Sequence, residues 1–178
     1  MKYSDIYRLY STSQPKDAIH QALREVPVDD SDEQYEDRSP LHLACQYGDT
    51  EGVKILLERD AEPNTKDANG STPIHILGRT SAGCADEDKL KEIAVMLIEQ
   101  GANIPRSAKN TTALIECIRN RHFKMAEAII DSGARVNSTD LNGENVLFGF
   151  CAASGDIRRD IRFAKKELDE SVQYRYPE

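Results

Sequence analysis

Short apolar clusters at helical spacing alternate with polar, turn-forming stretches along most of the chain. Leu41 and Ala44, then Ile74 and Leu77, lie three positions apart, the spacing of one helix face. Ahead of them stand Ser39-Pro40 and Thr72-Pro73, each an N-capping hydroxyl followed by the residue best suited to the first helical position. A second cluster comes later: Val53, Leu56 and Leu57, then Met96 and Leu97, then Ile129 and Ile130. Gly101 and Gly133 follow the last two and read as helix C-caps. The pattern predicts pairs of short helices. A lone pair cannot bury its own apolar face, so neighbouring pairs must stack into a continuous core.

The pairs recur with a period. Ser39-Pro40-Leu41-His42 returns as Thr72-Pro73-Ile74-His75, 33 residues on, then in weaker form as Thr112-Ala113-Leu114-Ile115 and Asn145-Val146-Leu147-Phe148. Val53–Leu57 with Asp60-Ala61-Glu62-Pro63-Asn64 returns as Ala126–Ile130 with Gly133-Ala134-Arg135-Val136-Asn137. Ala94–Ile98 with Gly101-Ala102-Asn103 is a third copy. Asp67-Ala68-Asn69-Gly70 and Asp140-Leu141-Asn142-Gly143 precede their helices at one offset, and Gly70 and Gly143 supply the positive φ of a tight turn.

These motifs resemble the ankyrin repeat, with its D-x-x-G-x-T-P-L-H opening, V-x-x-L-L second helix and G-A-D-x-N exit. The resemblance spans roughly residues 34–155 and implies an all-α solenoid of antiparallel helix pairs joined by β-turn fingers. The expected organisation is a single domain over 1–178. It comprises an N-terminal cap (1–33), repeats at 34–66, 67–106 and 107–139, a C-terminal capping repeat (140–170) and a tail (171–178). In the cap, Tyr3–Leu9 and Ala18–Leu23 read as a degenerate helix pair with Ile19, Ala22 and Leu23 facing inward. A heavily charged helix from Ile157 to Lys166 would close the other end, and its charge argues against a fragment of a longer array. The second repeat is longer than its neighbours, with extra residues near Ser81–Asp88 at the turn between its helices. That insertion is either a private binding element or a tolerated surface loop.

The formal net charge of −8 disfavours non-specific attraction to nucleic acid or anionic lipid, and the 6% aromatic content offers little platform for base stacking. No apolar run approaches the roughly 20 residues of a membrane helix. The first residues, Met1-Lys2-Tyr3-Ser4-Asp5-Ile6, lack the layout of a secretory signal. Four scattered cysteines (Cys45, Cys84, Cys117, Cys151) form no disulfide framework, so a reducing compartment is expected: cytoplasm, or alternatively nucleus or a host cytosol. Cys45 and Cys151 occupy the same place in repeats three apart, too distant to bond, and Cys84 is the one expected at the surface.

Candidate chemistry is sparse. His42 and Cys45, at i and i+3, could hold a metal, but the resemblance gives His42 and His75 a structural task, hydrogen-bonding backbone near the fingers. Asp86-Glu87-Asp88 lacks the spacing of a calcium loop and suits a helix N-terminus. No phosphate loop, zinc-protease or nucleophile-elbow motif occurs, so no enzyme, cofactor or metal is expected.

The resemblance implies that a partner protein would contact finger tips and the exposed side of the first helices, which form a concave surface. Carried over by position, these are Tyr35, Glu36, Arg38, Gln46 and Tyr47 in the first repeat, and Lys66, Ala68, Asn69, Ser71, Arg79 and Thr80 in the second. The third offers Arg106, Lys109, Thr111, Arg119 and Asn120, and the last Thr139, Leu141 and Glu144. Lys66, Arg79, Arg106, Lys109 and Arg119 make a basic strip with no acid among them, while Asp29, Asp30, Asp32, Glu33, Glu36 and Asp37 crowd the first finger. Such patches orient a partner more than they tighten it. They suggest a partner with an acidic segment for the middle and a basic one for the first finger, anchored by Tyr35 and Tyr47 side by side. The expected function is an adaptor or inhibitor acting as a monomer. A structural or self-assembling repeat is the alternative, and an enzyme built on Cys84 or His42 the least favoured reading.

Overall fold

The computed structural model describes residues 2–80, 86–103 and 112–134. Eight α-helices are seen there: α1 (Tyr3–Ser11), α2 (Lys16–Glu25), α3 (Pro40–Gln46), α4 (Thr50–Leu57), α5 (Pro73–Gly78), α6 (Glu87–Glu99), α7 (Ala113–Arg119) and α8 (Phe123–Asp131). A 3-10 turn at Glu33–Tyr35 precedes α3. Consecutive helices pair as α1 with α2, α3 with α4, α5 with α6 and α7 with α8. The pairs then stack in two layers, α1–α3–α5–α7 and α2–α4–α6–α8. This is an all-α ankyrin-type solenoid.

The stack follows from the sequence pattern. Leu41, Ile74 and Leu114 open their helices at the same step, and each is buried to within 1%. Val53, Leu56, Leu90, Ile93, Leu97, Met125 and Ile129 build the second layer's side of the core. At full burial each such side chain contributes about 1.5–3 kcal/mol. Gly78 lets α5 approach α7 closely, since a Cβ there would lie 3.2 Å from the Ala113 carbonyl and 3.3 Å from Cys117 Sγ. At the front, Ile19, Ala22 and Leu23 on α2 are buried, as is Ile6 on α1.

Local chemistry sets the helix ends. Ser39, Thr72 and Thr112 occupy the N-caps of α3, α5 and α7, with Pro40 and Pro73 at the first helical position of the first two. Gly101 and Gly133 take the left-handed conformation after α6 and α8 at φ 85° and 91°, and Asp60 does so after α4 at φ 62°. Fingers hang on one another through backbone: the Ala68 amide donates to the Glu36 carbonyl at 2.8 Å. Exit loops are tied as well, with Asn64 Nδ2 donating to the Gly101 carbonyl and the Asn103 amide donating to Asn64 Oδ1.

The insertion ends as its acidic run Asp86-Glu87-Asp88 suggests, at a helix N-terminus. Its last residues are not loop: Glu87 and Asp88 form the first turn of α6, which runs 13 residues against 8 in α4. Asp86 caps that turn by accepting the Asp88 amide at 3.0 Å, and the acids favour the helix's positive end. Lys124 on α8 then pairs with Asp88 at 2.6 Å. Residues 81–85 with Cys84, residues 104–111, and residues 135–178 with Cys151, Gly143 and the whole closing repeat lie outside the described residues.

Candidate functional site

The three histidines buried in the stack are spent on scaffold. Ser39 N–H and Oγ both reach His42 Nδ1, at 3.1 and 2.9 Å, which leaves Nε2–H to donate to the Ser71 carbonyl at 3.0 Å. The ring is therefore neutral, and burial holds its pKa below the usual value. His75 receives Thr72 Oγ1 in the same way at 2.9 Å. His122, absent from the sequence reading, donates Nε2 to the Thr80 carbonyl at 2.6 Å. Cys45 and Cys117 are fully buried free thiols whose pKa burial raises. No group of three His, Cys, Asp or Glu among the described residues is placed to hold a metal.

The layer of first helices carries a connected polar chain. Arg38 bonds Gln46 Oε1 at 2.8 Å and Glu36 at 2.6 Å, and its Nε faces Asp67 Oδ2 at 3.7 Å. Asp67 Oδ1 accepts the Asn69 and Ser71 amides, fixing the turn around Gly70 at φ 66°. Arg79 donates to Ser71 Oγ and to Glu116 Oε1, both at 3.0 Å. Asn120 Nδ2 donates to the Gly78 and Glu116 carbonyls. Charge-assisted bonds of this kind hold adjacent repeats in register.

This arrangement corrects the basic strip. The middle of the layer is not free of acid: Glu116 and Asp67 lie there, and Arg79 is engaged by Glu116. Glu116 stands in the column of Leu43 and Ile76, and an acid at an apolar helix position is the signal that it is buried and paired. Arg38 is likewise engaged by Glu36 and Gln46 rather than presented to solvent. Ser71, expected as a contact residue, has no exposed surface, and Thr80 is buried as well. Lys66 and Ala68 are exposed, and Glu36 is exposed beside the half-exposed Asn69. Arg106, Lys109, Thr111, Thr139, Leu141 and Glu144 fall outside the described residues, so the structure brings only part of the expected surface together.

The tyrosines are also arranged differently from expectation. Tyr35 and Tyr47 are not each other's neighbours; each packs on a tyrosine of α1. Tyr35 meets Tyr7 at 4.2 Å and Tyr3 at 5.7 Å between ring centroids, and Tyr47 stacks on Tyr10 at 4.8 Å. Tyr47, 37% accessible, is the one large apolar side chain among the described residues that stands exposed. Behind Tyr10 lies a buried junction that sequence reasoning missed. Tyr10 Oη donates to Asp49 Oδ2 at 2.8 Å, and His20 Nε2 meets both Asp49 oxygens at 3.0 and 3.1 Å. Asp49 and His122 each stand ten residues past the capping hydroxyl of their repeat, a correspondence visible in the aligned copies.

Comparison with known proteins agrees with this geometry. The family described as ankyrin repeats (many copies) matches residues 22–77. The chain is 38% identical over 69 residues, 39% of its length, to a transient receptor potential cation channel subfamily A member 1 homolog of Caenorhabditis elegans. It is 31% identical over 134 residues, 75% of its length, to neurogenic locus notch homolog protein 1 of Mus musculus. It is 29% identical over 124 residues, 68% of its length, to ankyrin repeat protein nuc-2 of Neurospora crassa. The matched stretches cover 6%, 5% and 10% of those proteins, so the likeness is to a region of each. No helix among the described residues is long and apolar enough to cross a membrane. With stacked helix pairs, His-linked fingers and these matches in agreement, the chain belongs to the ankyrin-repeat family.

Proposed function

We propose that this chain binds a partner protein through its finger tips and the open side of its first helices, as an adaptor or inhibitor rather than as an enzyme. Ankyrin repeats are in general protein-interaction modules, and the reading adds the surface and the role. The observation that carries it is Tyr47, an exposed aromatic side chain at the C-terminal end of α3 with Tyr10 supporting its other face. A rigid, pre-supported aromatic ring loses little entropy on contact and is the usual centre of a binding hot spot. The histidines support the non-catalytic reading, since their ring nitrogens are used in the stack. Buried free thiols at Cys45 and Cys117 fit a reducing compartment, cytoplasmic or nuclear, or a host cytosol.

The test is to capture a partner from lysate and compare the wild-type chain with a Tyr47→Ser, Lys66→Glu double variant. The expected result is a loss of affinity of tenfold or more with circular dichroism unchanged. Equal affinity would remove this surface from the account, and assemblies seen by light scattering at micromolar concentration would favour the self-assembling alternative. Reversing Arg79 is a poor probe, because a glutamate there would face Glu116 and damage the stack itself.

A further inference from the structure

Next to α1 lies an open depression of about 390 Å³ lined by Ser4, Asp5, Tyr7, Arg8, Ser11 and Tyr35. Its aromatic wall is the Tyr7–Tyr35 pair, with ring planes 32° apart and centroids at 4.2 Å. Tyr47 stacks on Tyr10 instead, so the aromatic surface of this depression is the Tyr7–Tyr35 pair. Tyr7 and Tyr35 are each only partly buried, so ring surface remains open.

The charge around the depression is predominantly acidic, with Arg8 the base in its lining. Between Asp29 and Asp37 the chain has six acids and no base. Glu33 and Glu36 flank Tyr35 and are exposed. The next base, Arg38, is occupied by Glu36 and Gln46. Arg8 is in a loose exposed pair with Asp5 at 3.7 Å, which costs little to open and leaves donors for a peptide carbonyl. Two φ-positive residues, Glu36 at 60° and Asp37 at 52°, hold the finger in a shape that glycine would adopt more cheaply. That conformation sets Glu36 immediately beyond Tyr35.

We propose that this depression is a docking site for an extended, basic segment of a partner protein, with an arginine or lysine side chain laid on the Tyr7–Tyr35 rings. An open aromatic face attracts a guanidinium or ammonium group, and the surrounding acids favour the same sign of charge. Acids outnumber bases along the first finger, and Arg8 is the one base in the lining, so an acidic segment is disfavoured and the first finger selects by charge. The site lies on α1 and the first finger, beside the surface proposed above, and rests on the same reading of the chain as a binding module.

The test uses the full chain and a defined probe, the blocked peptide Arg-Pro-Arg-Pro-Arg, in an NMR titration. Its control is the same peptide with glutamate in place of arginine. Saturable shifts centred on Tyr7, Arg8 and Tyr35 are expected for the basic peptide only. Tyr7→Ser should weaken the affinity at least fivefold, and Tyr35→Leu, which keeps apolar packing against Tyr3, should weaken it to a similar extent. Added salt should weaken it further. Equal shifts with both peptides, shifts centred elsewhere, or none saturating by millimolar concentration would overturn the inference. Any of these would leave the Tyr47–Lys66 surface standing, since that surface is judged by partner capture.

Discussion

The junction of the front helix pair with the first repeat and that of the second repeat with the third use the same position for opposite chemistries. In the first, Asp49 reaches back as a carboxylate, accepting the Tyr10 hydroxyl and meeting His20. In the second, His122 reaches back as a donor, to the Thr80 carbonyl. The imidazole needs only one backbone acceptor, which every repeat supplies. The carboxylate needs two dedicated side chains, and α1 and α2 supply them. The repeat frame therefore fixes where a tie is made, while the side chain chosen fixes what it can hold.

The largest effect should come from removing the carboxylate. Asp49→Ala leaves the Tyr10 hydroxyl buried without its acceptor and should cost about 3 kcal/mol in urea unfolding, with α1 the first helix to lose protection. A cost below about 1 kcal/mol would show that apolar packing alone secures this junction. Gly52→Ala probes the same place sterically. A Cβ there would lie 2.6 Å from Asp49 Oδ2 and 2.8 Å from Tyr10 Oη, closer than real contacts, so about 1–2 kcal/mol should be lost. The equivalent site in the third repeat is Met125, which is fully buried, so the space withheld at one junction is filled at the other.

The turn before each tie sharpens the comparison in the other direction. Gly48 and Arg121 are equivalent left-handed residues, at φ 59° and 66°, and only the glycine adopts that conformation freely. Arg121→Gly should therefore stabilise the chain by up to about 1 kcal/mol in thermal unfolding. A loss would mean that the Arg121 side chain contributes more than its backbone costs. The smallest effect is on pH. His42 is held neutral with its pKa lowered, so its contribution is complete above the unfolded value near 6.5 and declines as pH falls through the folded one. Unfolding midpoints at pH 7.5 and 5.5 should differ less in His42→Gln than in wild type.

How much of this was legible in the sequence depends on the range of each interaction. Caps and turns are local: Ser39-Pro40, Thr72-Pro73 and Gly70 state their conformations within a few residues, and the helix pairs follow from them. Stacking order followed from the period. Side-chain partners were harder to read, because Arg79 and Glu116 are 37 positions apart and only the register of α5 on α7 brings them together. Counting charges by surface position thus misses that Arg79, one member of the basic strip, is paired with Glu116. The tyrosines follow the same rule, since the pattern of a capping helix gives no sign that α1 is the wall on which Tyr35 and Tyr47 rest. The start of α6 is legible in Asp86-Glu87-Asp88, an acidic run suited to a helix N-terminus, but its 13-residue length is not.

The two-layer stack has a further consequence, for how the molecule comes apart. In each layer the principal contacts run from a helix to its immediate neighbours, so the cohesive energy is stored interface by interface. Contacts of that kind close short loops of chain and form quickly, and damage at one junction stays near it. Amide exchange across the array should then read as a staircase of opening energies, each step set by the ties at one interface. Asp49 and His122 would mark two of those steps.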